Sequence, residues 1–182
     1  MRIVGVDYSL SSPCICIHDG SGFSIANCAF HFLTSTKKYE GVWRQNLDIT
    51  GSLHLDFKSN EERYAAIAVW VLSLLEENDI IYIEGYSMGS TGMVFNIAEN
   101  AGLLKHYLWK NRFKYNIVAP TVIKKFATGK GNANKEKLQD TFIEETGVNI
   151  KEILNMTEKS WNPSSDIIDS YFIAKYGVEN VT

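Results

Sequence analysis

The sequence predicts an α/β fold: a mixed five-stranded sheet, three antiparallel strands then two parallel ones, flanked by helices. Three observations carry this. The first thirty-odd residues hold three apolar runs separated by turn residues. Later apolar runs alternate with stretches of helical period. Single strands between helices then imply right-handed crossovers, which pair strands one, four and five in parallel.

In order, Ile3-Val4-Gly5-Val6-Asp7 reads as a buried strand ending in a carboxylate, broken by Ser12-Pro13. Cys14 to His18 is a second strand, and Asp19-Gly20-Ser21-Gly22 a turn. Phe23 to Leu33 reads as a long third strand. Residues 34–58, with Thr50-Gly51-Ser52 as a turn, fit an extra hairpin and a partly ordered loop equally well. Ser59 or Asn60 caps a helix, with Glu61 and Glu62 favouring its first turn and an apolar face running to about Glu77. Asp79 to Ile83 is a strand ending at Glu84-Gly85. A helix follows from about Gly92 to Asn111, then a strand from Tyr115 to Ala119. Short helices fall around 120–127 and 133–146, and a last one from about Ser164 to Tyr176.

The 182 residues read as one domain, residues 1–182, with no internal repeat. A net charge of −3 is not that of a chain coated in basic residues, so any nucleic-acid face must be local. The odd set Cys14, Cys16 and Cys28 lacks zinc spacing and suits reduced thiols in a cytoplasmic setting. No apolar run approaches the ~18 residues that span a membrane, and no secretory leader is expected.

The chemistry lies in four acids. Asp7 and Glu84 end strands that pair in parallel, so both emerge at the carboxyl edge, where open α/β sheets place ligands. Asp166 and Asp169, spaced i, i+3, share one face at the start of the last helix. Each has a bland role too: Asp7 as turn former, Glu84 as loop carboxylate, Asp166 as cap, Asp169 as solvated surface. Together they repel unless a cation lies among them, and oxygen donors suit Mg²⁺ or Mn²⁺. Two such ions about 4 Å apart assist phosphodiester hydrolysis.

These blocks resemble a known family. Ile3 to Ser9, Ile81-Tyr82-Ile83-Glu84 and Asp166-Ile167-Ile168-Asp169-Ser170-Tyr171-Phe172-Ile173-Ala174 are similar to the acidic blocks of the RuvC-type Holliday junction resolvases, of the RNase H-like superfamily. Val122 to Lys135 resembles that family's lysine segment, with Lys124 and Lys135 at the two lysine positions. The resemblance implies a homodimer that nicks four-way DNA junctions symmetrically with Mg²⁺ or Mn²⁺, two ions per site. Asp7, Glu84, Asp166 and Asp169 would be the ligands, and Lys135 would join them in catalysis. Tyr8-Ser9 replaces the usual Pro-Gly. The wedge aromatic expected after Glu84 has only Tyr86 or Met88 to match it. Both departures resemble a divergent, viral branch.

Lys124, Lys125, Lys130, Lys135 and Lys137 crowd fourteen residues of an acidic chain, and so are expected to meet DNA phosphates rather than only solvent. Gly129 and Gly131 would let backbone amides approach a phosphate. Tyr86 would stack on an unpaired base, whereas Trp43 and Phe95 suit core or interface. His18, His31, His54 and His106 share no spacing with the acids.

The expected activity is a structure-selective endonuclease for four-way junctions and other branched DNA. The alternatives are a relative acting on flaps, forks or RNA–DNA hybrids, and a catalytically silent DNA-binding module. An actin-like ATPase half, suggested by Gly5-Val6-Asp7, lacks a second lobe and glycine-rich phosphate loops.

Overall fold

The computed structural model describes residues 1–20, 22–44, 47–86 and 93–181. Its strands are β1 (Ile3–Asp7), β2 (Cys14–His18), β3 (Cys28–Thr34), β4 (Gly41–Trp43), β5 (Asp48–Leu53), β6 (Ile80–Glu84) and β7 (Lys114–Val118). Its helices are α1 (Asn60–Leu74), α2 (Val94–Lys110), α3 (Pro120–Thr128), α4 (Lys135–Thr146), α5 (Ile150–Ile153) and α6 (Ser164–Asn180).

Among the described residues the sheet has seven strands, not five, in the order β4-β5-β3-β2-β1-β6-β7. Five of them follow expectation: β1, β2 and β3 form an antiparallel meander, and β6 and β7 run parallel to β1, with the added pair extending the sheet beyond β3. The two added strands come from the stretch that the sequence leaves undecided. Thr50-Gly51-Ser52 is not a turn but the middle of β5. Gly51 serves close approach there, since a Cβ would lie 2.0 Å from the Tyr39 carbonyl oxygen and 2.6 Å from Phe32 Cζ. The third strand also begins later than Phe23, because the Ser24 hydroxyl caps a short 3-10 turn at Ile25–Asn27. At α1, by contrast, the Ser59 hydroxyl accepts from the Glu62 amide as expected of a cap.

Strand alternation sorts the core into two layers. Val4, Val6, Ile15, Ile81 and Ile83 pack with Ala68 and Val71 of α1 and Leu104 and Leu108 of α2. Ile3, Cys14, Cys16, Phe30, Phe32 and Tyr82 face the other way, onto Ile167, Ile168, Phe172 and Ile173 of α6. Outside α6 lie α3, α4 and α5, so this helix is central rather than peripheral. Tyr171 donates to Glu145 of α4 at 2.6 Å, and Lys175 pairs with the same carboxylate at 2.7 Å.

Glycines set how closely α6 approaches. A Cβ on Gly5 would lie 2.3 Å from the Ala174 nitrogen and 2.5 Å from the Ser170 carbonyl oxygen. A Cβ on Gly177 would lie 2.8 Å from Ile3 Cγ2. Ile3 thus meets residue 177 and Gly5 meets 170–174, so α6 runs antiparallel to β1 and brings its first turns over the strand's carboxyl end.

Candidate active site

Ile3, Gly5 and Asp7 alternate onto the α6 face of β1, and Ile80, Tyr82 and Glu84 onto the same face of β6. The strands pair in parallel with Val6 opposite Ile83, so the next rung carries Asp7 and Glu84 side by side. The first turns of α6 add Asp166 and Asp169 from above. Each acid feels the others. Burial pushes the Asp7 carboxyl well above its usual range, and Asp166, Asp169 and Glu84 push it further, opposed by Lys135. Glu84 is raised to about 7 by burial and then by Asp169, with Lys124 opposing. Asp166 is raised to about 7, first by burial and also by Asp169, against a hydrogen bond from Ser12, the Lys135 charge and Asn162. Asp169 rises to about 6 through burial, with Lys135 and Lys124 pulling it down.

Both lysines that match the family's segment therefore sit at the acids. Lys124 projects from α3. Lys135 opens α4, and its ammonium donates to the Ser165 hydroxyl at 3.2 Å. Lys125, Lys130 and Lys137 are exposed, on α3, on the turn that follows it and on α4, while Lys124 is half-buried. Gly129 does not offer its amide to a phosphate: it is the left-handed cap of α3 (φ 77°), and its N–H bonds the Lys125 carbonyl at 2.8 Å. Gly131 packs against α3, where a Cβ would stand 3.1 Å from the Thr121 carbonyl oxygen. Tyr86 is exposed, with the Lys105 ammonium 6.0 Å from its ring, and lines a cavity of about 30 Å³ with Tyr8 and Glu84. Met88 lies outside the described residues. Trp43 stacks on Phe32 in the core layer, while Phe95 is 83% exposed.

Three residues at the acids escape sequence reasoning: Ser12, Asn162 and Ser165. The Asn162 side-chain amide donates to Asp166 Oδ2 at 2.7 Å, Oδ1 at 3.0 Å and the Ser12 hydroxyl at 2.7 Å. An Asn ahead of Pro163 at a helix start reads as an ordinary cap, and no other signal distinguishes it.

The donor set fits an oxygen-ligated divalent cation in type and charge: four carboxylates, Asp166 buried and Asp7, Glu84 and Asp169 half-buried, against two nearby lysines, each carboxyl pushed above its usual range by loss of water when no cation balances it. In the present side-chain positions, among the described residues, no three His, Cys, Asp or Glu side chains close into a metal-holding group. Asp166, for one, turns both oxygens to Asn162.

No family model and no curated protein sequence matches the chain. Solved structures do. Thermus thermophilus RuvC matches at TM-score 0.56 and 15% identity, over 96% of this chain and 91% of that one. T. thermophilus RuvC in complex with a Holliday junction substrate matches at 0.55 and 13%, over 96% and 90%. The fowlpox virus resolvase, in complex with substrate Holliday junction DNA, matches at 0.56 and 17%, over 98% and 97%. The fold of this chain is that of the RuvC-type resolvases.

Proposed function

We propose that this chain is a structure-selective endonuclease that cleaves four-way junctions and other branched DNA, with Mg²⁺ or Mn²⁺ held by Asp7, Glu84, Asp166 and Asp169. The observation that carries the reading is the meeting of these four acids with Lys124 and Lys135 at the sheet's carboxyl edge. When bound, one or two such ions supply Lewis-acid activation of the phosphate and of the attacking water. The protein supplies the rest. The strand ends and α6 fix the carboxylates on rigid elements, so they need little reorganisation during reaction. Lys135 and Lys124 balance their charge and meet that of the scissile phosphate. Lys125, Lys130 and Lys137 extend the basic surface along the backbone of a DNA arm. That the solved neighbours include two captured with Holliday junction DNA supports the substrate class.

Two of the four arginines are engaged within the fold, which favours recognition by shape over base reading. Arg2 is held by Asp79 at the opposite sheet edge, and Arg63 donates to the Leu10 carbonyl. We also infer a homodimer. Phe95, Gly102 and Trp109 share one exposed face of α2, with Phe95 83% and Trp109 69% exposed and, among the described residues, the His106 ring of the same helix beside Trp109. A twofold dimer would present two sites to the two opposing strands of a junction. A cytoplasmic setting is supported by three free, buried thiols, and among the described residues no helix is long and apolar enough to cross a membrane.

The test is a nicking assay on labelled four-way junction, flap and linear duplex, with Mg²⁺ or with excess chelator. Paired, metal-dependent nicks in the junction are expected. Equal cutting of linear duplex would overturn the junction preference, and activity in chelator would overturn the metal assignment.

A further inference from the structure

Asp166 is buried in the first turn of α6, yet it does not cap that helix. Its two oxygens both accept from one neutral group, the Asn162 side-chain amide, at 2.7 and 3.0 Å, and Oδ1 also accepts from the Ser165 hydroxyl at 3.5 Å. That –NH₂ has two hydrogens, and the second direction is taken by the Ser12 hydroxyl at 2.7 Å. Ser12 belongs to the loop that follows Asp7, and Asn162 to the segment that enters α6. Residues 150 positions apart are thus joined through one amide beside this carboxylate.

We propose that Asn162, with Ser12, is a positioning residue that sets the orientation of the Asp166 carboxylate for cation binding; this rests on the reading of Asp166 as a metal ligand. A carboxylate has about four lone-pair sites. Asn162 occupies one on each oxygen and the Ser165 hydroxyl reaches Oδ1 at 3.5 Å, so the carboxyl plane is fixed and a site on Oδ2 is left for a cation. Because these donors are neutral, they orient Asp166 without cancelling the negative charge that draws the ion. A lysine there would do the reverse. Ser12 links this orientation to the loop after Asp7, so the two ends of the acid set are held by one hydrogen-bonded unit. Groups that orient metal ligands in this way are typically worth 10–100-fold in metal affinity.

The test is Mn²⁺ titration of the full chain by calorimetry, without DNA, for the wild type, Asn162→Ala, Ser12→Ala, Asp166→Asn and the Asn162→Ala/Asp166→Asn pair. Asn162→Ala should weaken Mn²⁺ binding by roughly 10–100-fold, and Ser12→Ala by about fivefold, the worth of one ordinary hydrogen bond. In the Asp166→Asn background, Asn162→Ala should add little, because its partner is gone. Wild-type affinity in Asn162→Ala, or the same loss in both backgrounds, would overturn the inference. If Asn162→Ala does not fold, Ser12→Ala decides alone, and wild-type affinity there is equally fatal. A wild type that neither binds Mn²⁺ nor nicks a junction in its presence would instead refute the metal site itself, and the inference with it.

Discussion

Replacing Gly5 by alanine adds one methyl group where β1 and α6 touch. That methyl carbon would stand 2.3 Å from the Ala174 nitrogen, 2.5 Å from the Ser170 carbonyl oxygen and 2.8 Å from Ala174 Cα. Ordinary contact is about 3.5–4.0 Å, so strand and helix must part by about 1 Å. All three obstacles are backbone and cannot rotate away. Overpacking of a core typically costs about 1–3 kcal/mol, and with no side chain to yield, the upper end, ~3 kcal/mol, applies. For a chain of this size each kcal/mol moves the melting temperature by about 2–4 °C, so the midpoint should fall by roughly 6–12 °C. The same parting displaces Asp166 and Asp169 from Asp7, and a misplacement of ~1 Å can cost about 10²-fold in rate. Thermal unfolding by circular dichroism and single-turnover junction cleavage, each beside a Gly22→Ala control with no atom within 4 Å of its Cβ, measure both effects. Melting of Gly5→Ala within about 2 °C of wild type, with unchanged cleavage, would refute this account of how α6 delivers its carboxylates.

Other consequences concern charge. Asp7→Asn, Glu84→Gln, Asp166→Asn and Asp169→Asn should each lose most cleavage while retaining junction binding, checked by gel shift beside nicking; full activity in Asp7→Asn and Glu84→Gln would defeat the metal-site reading. Lys124→Ala and Lys135→Ala should slow cleavage, and loss of a phosphate contact should flatten the slope of log affinity against log salt by about 0.9. Wild-type rates in both would remove the lysines from the site. The pH dependence of metal-free stability follows from Glu84 and Asp166 at about 7 and Asp169 at about 6, all above their unfolded values. The folded state then binds more protons between about pH 4 and 7, so stability is full below the unfolded pKa values and is lost as pH rises through the folded ones. Melting in chelator should therefore weaken from pH 5 to pH 8, and Mn²⁺ should restore it at pH 8; a flat profile in chelator would contradict the burial of these acids. Light scattering should find a dimer dissociated by Phe95→Glu with Trp109→Glu, and a strict monomer with and without junction DNA would remove that assembly.

The site was legible where each acid closes a pattern. A buried apolar run that ends in a carboxylate, as at Asp7 and Glu84, reports both strand and placement, and i, i+3 spacing reports a shared helix face for Asp166 and Asp169. Residues 34–58 resisted because Thr50-Gly51-Ser52 has turn chemistry, while the glycine answers to the Tyr39 carbonyl and Phe32 ring across the sheet, a tertiary demand invisible along the chain. Gly129 misled in the other direction, serving its own helix cap rather than a phosphate. Asn162 carried no local signature, since what distinguishes it is a hydroxyl 150 residues away.

The central place of α6 also bears on how the chain assembles its acid set during synthesis. Asp7 precedes Asp166 by 159 residues, an interval of roughly 8–30 s at about 5–20 residues per second. Until α6 emerges, Ile3 and Phe30 have no cover on that side of the sheet, and Asp7 and Glu84 stand without their partners. An emerging or interrupted chain that stops short of residue 164 is thus both aggregation-prone and short of half its acid set. The helix that completes the core is the one that brings Asp166 and Asp169 to Asp7 and Glu84, so closing the core and assembling the acids are a single late event.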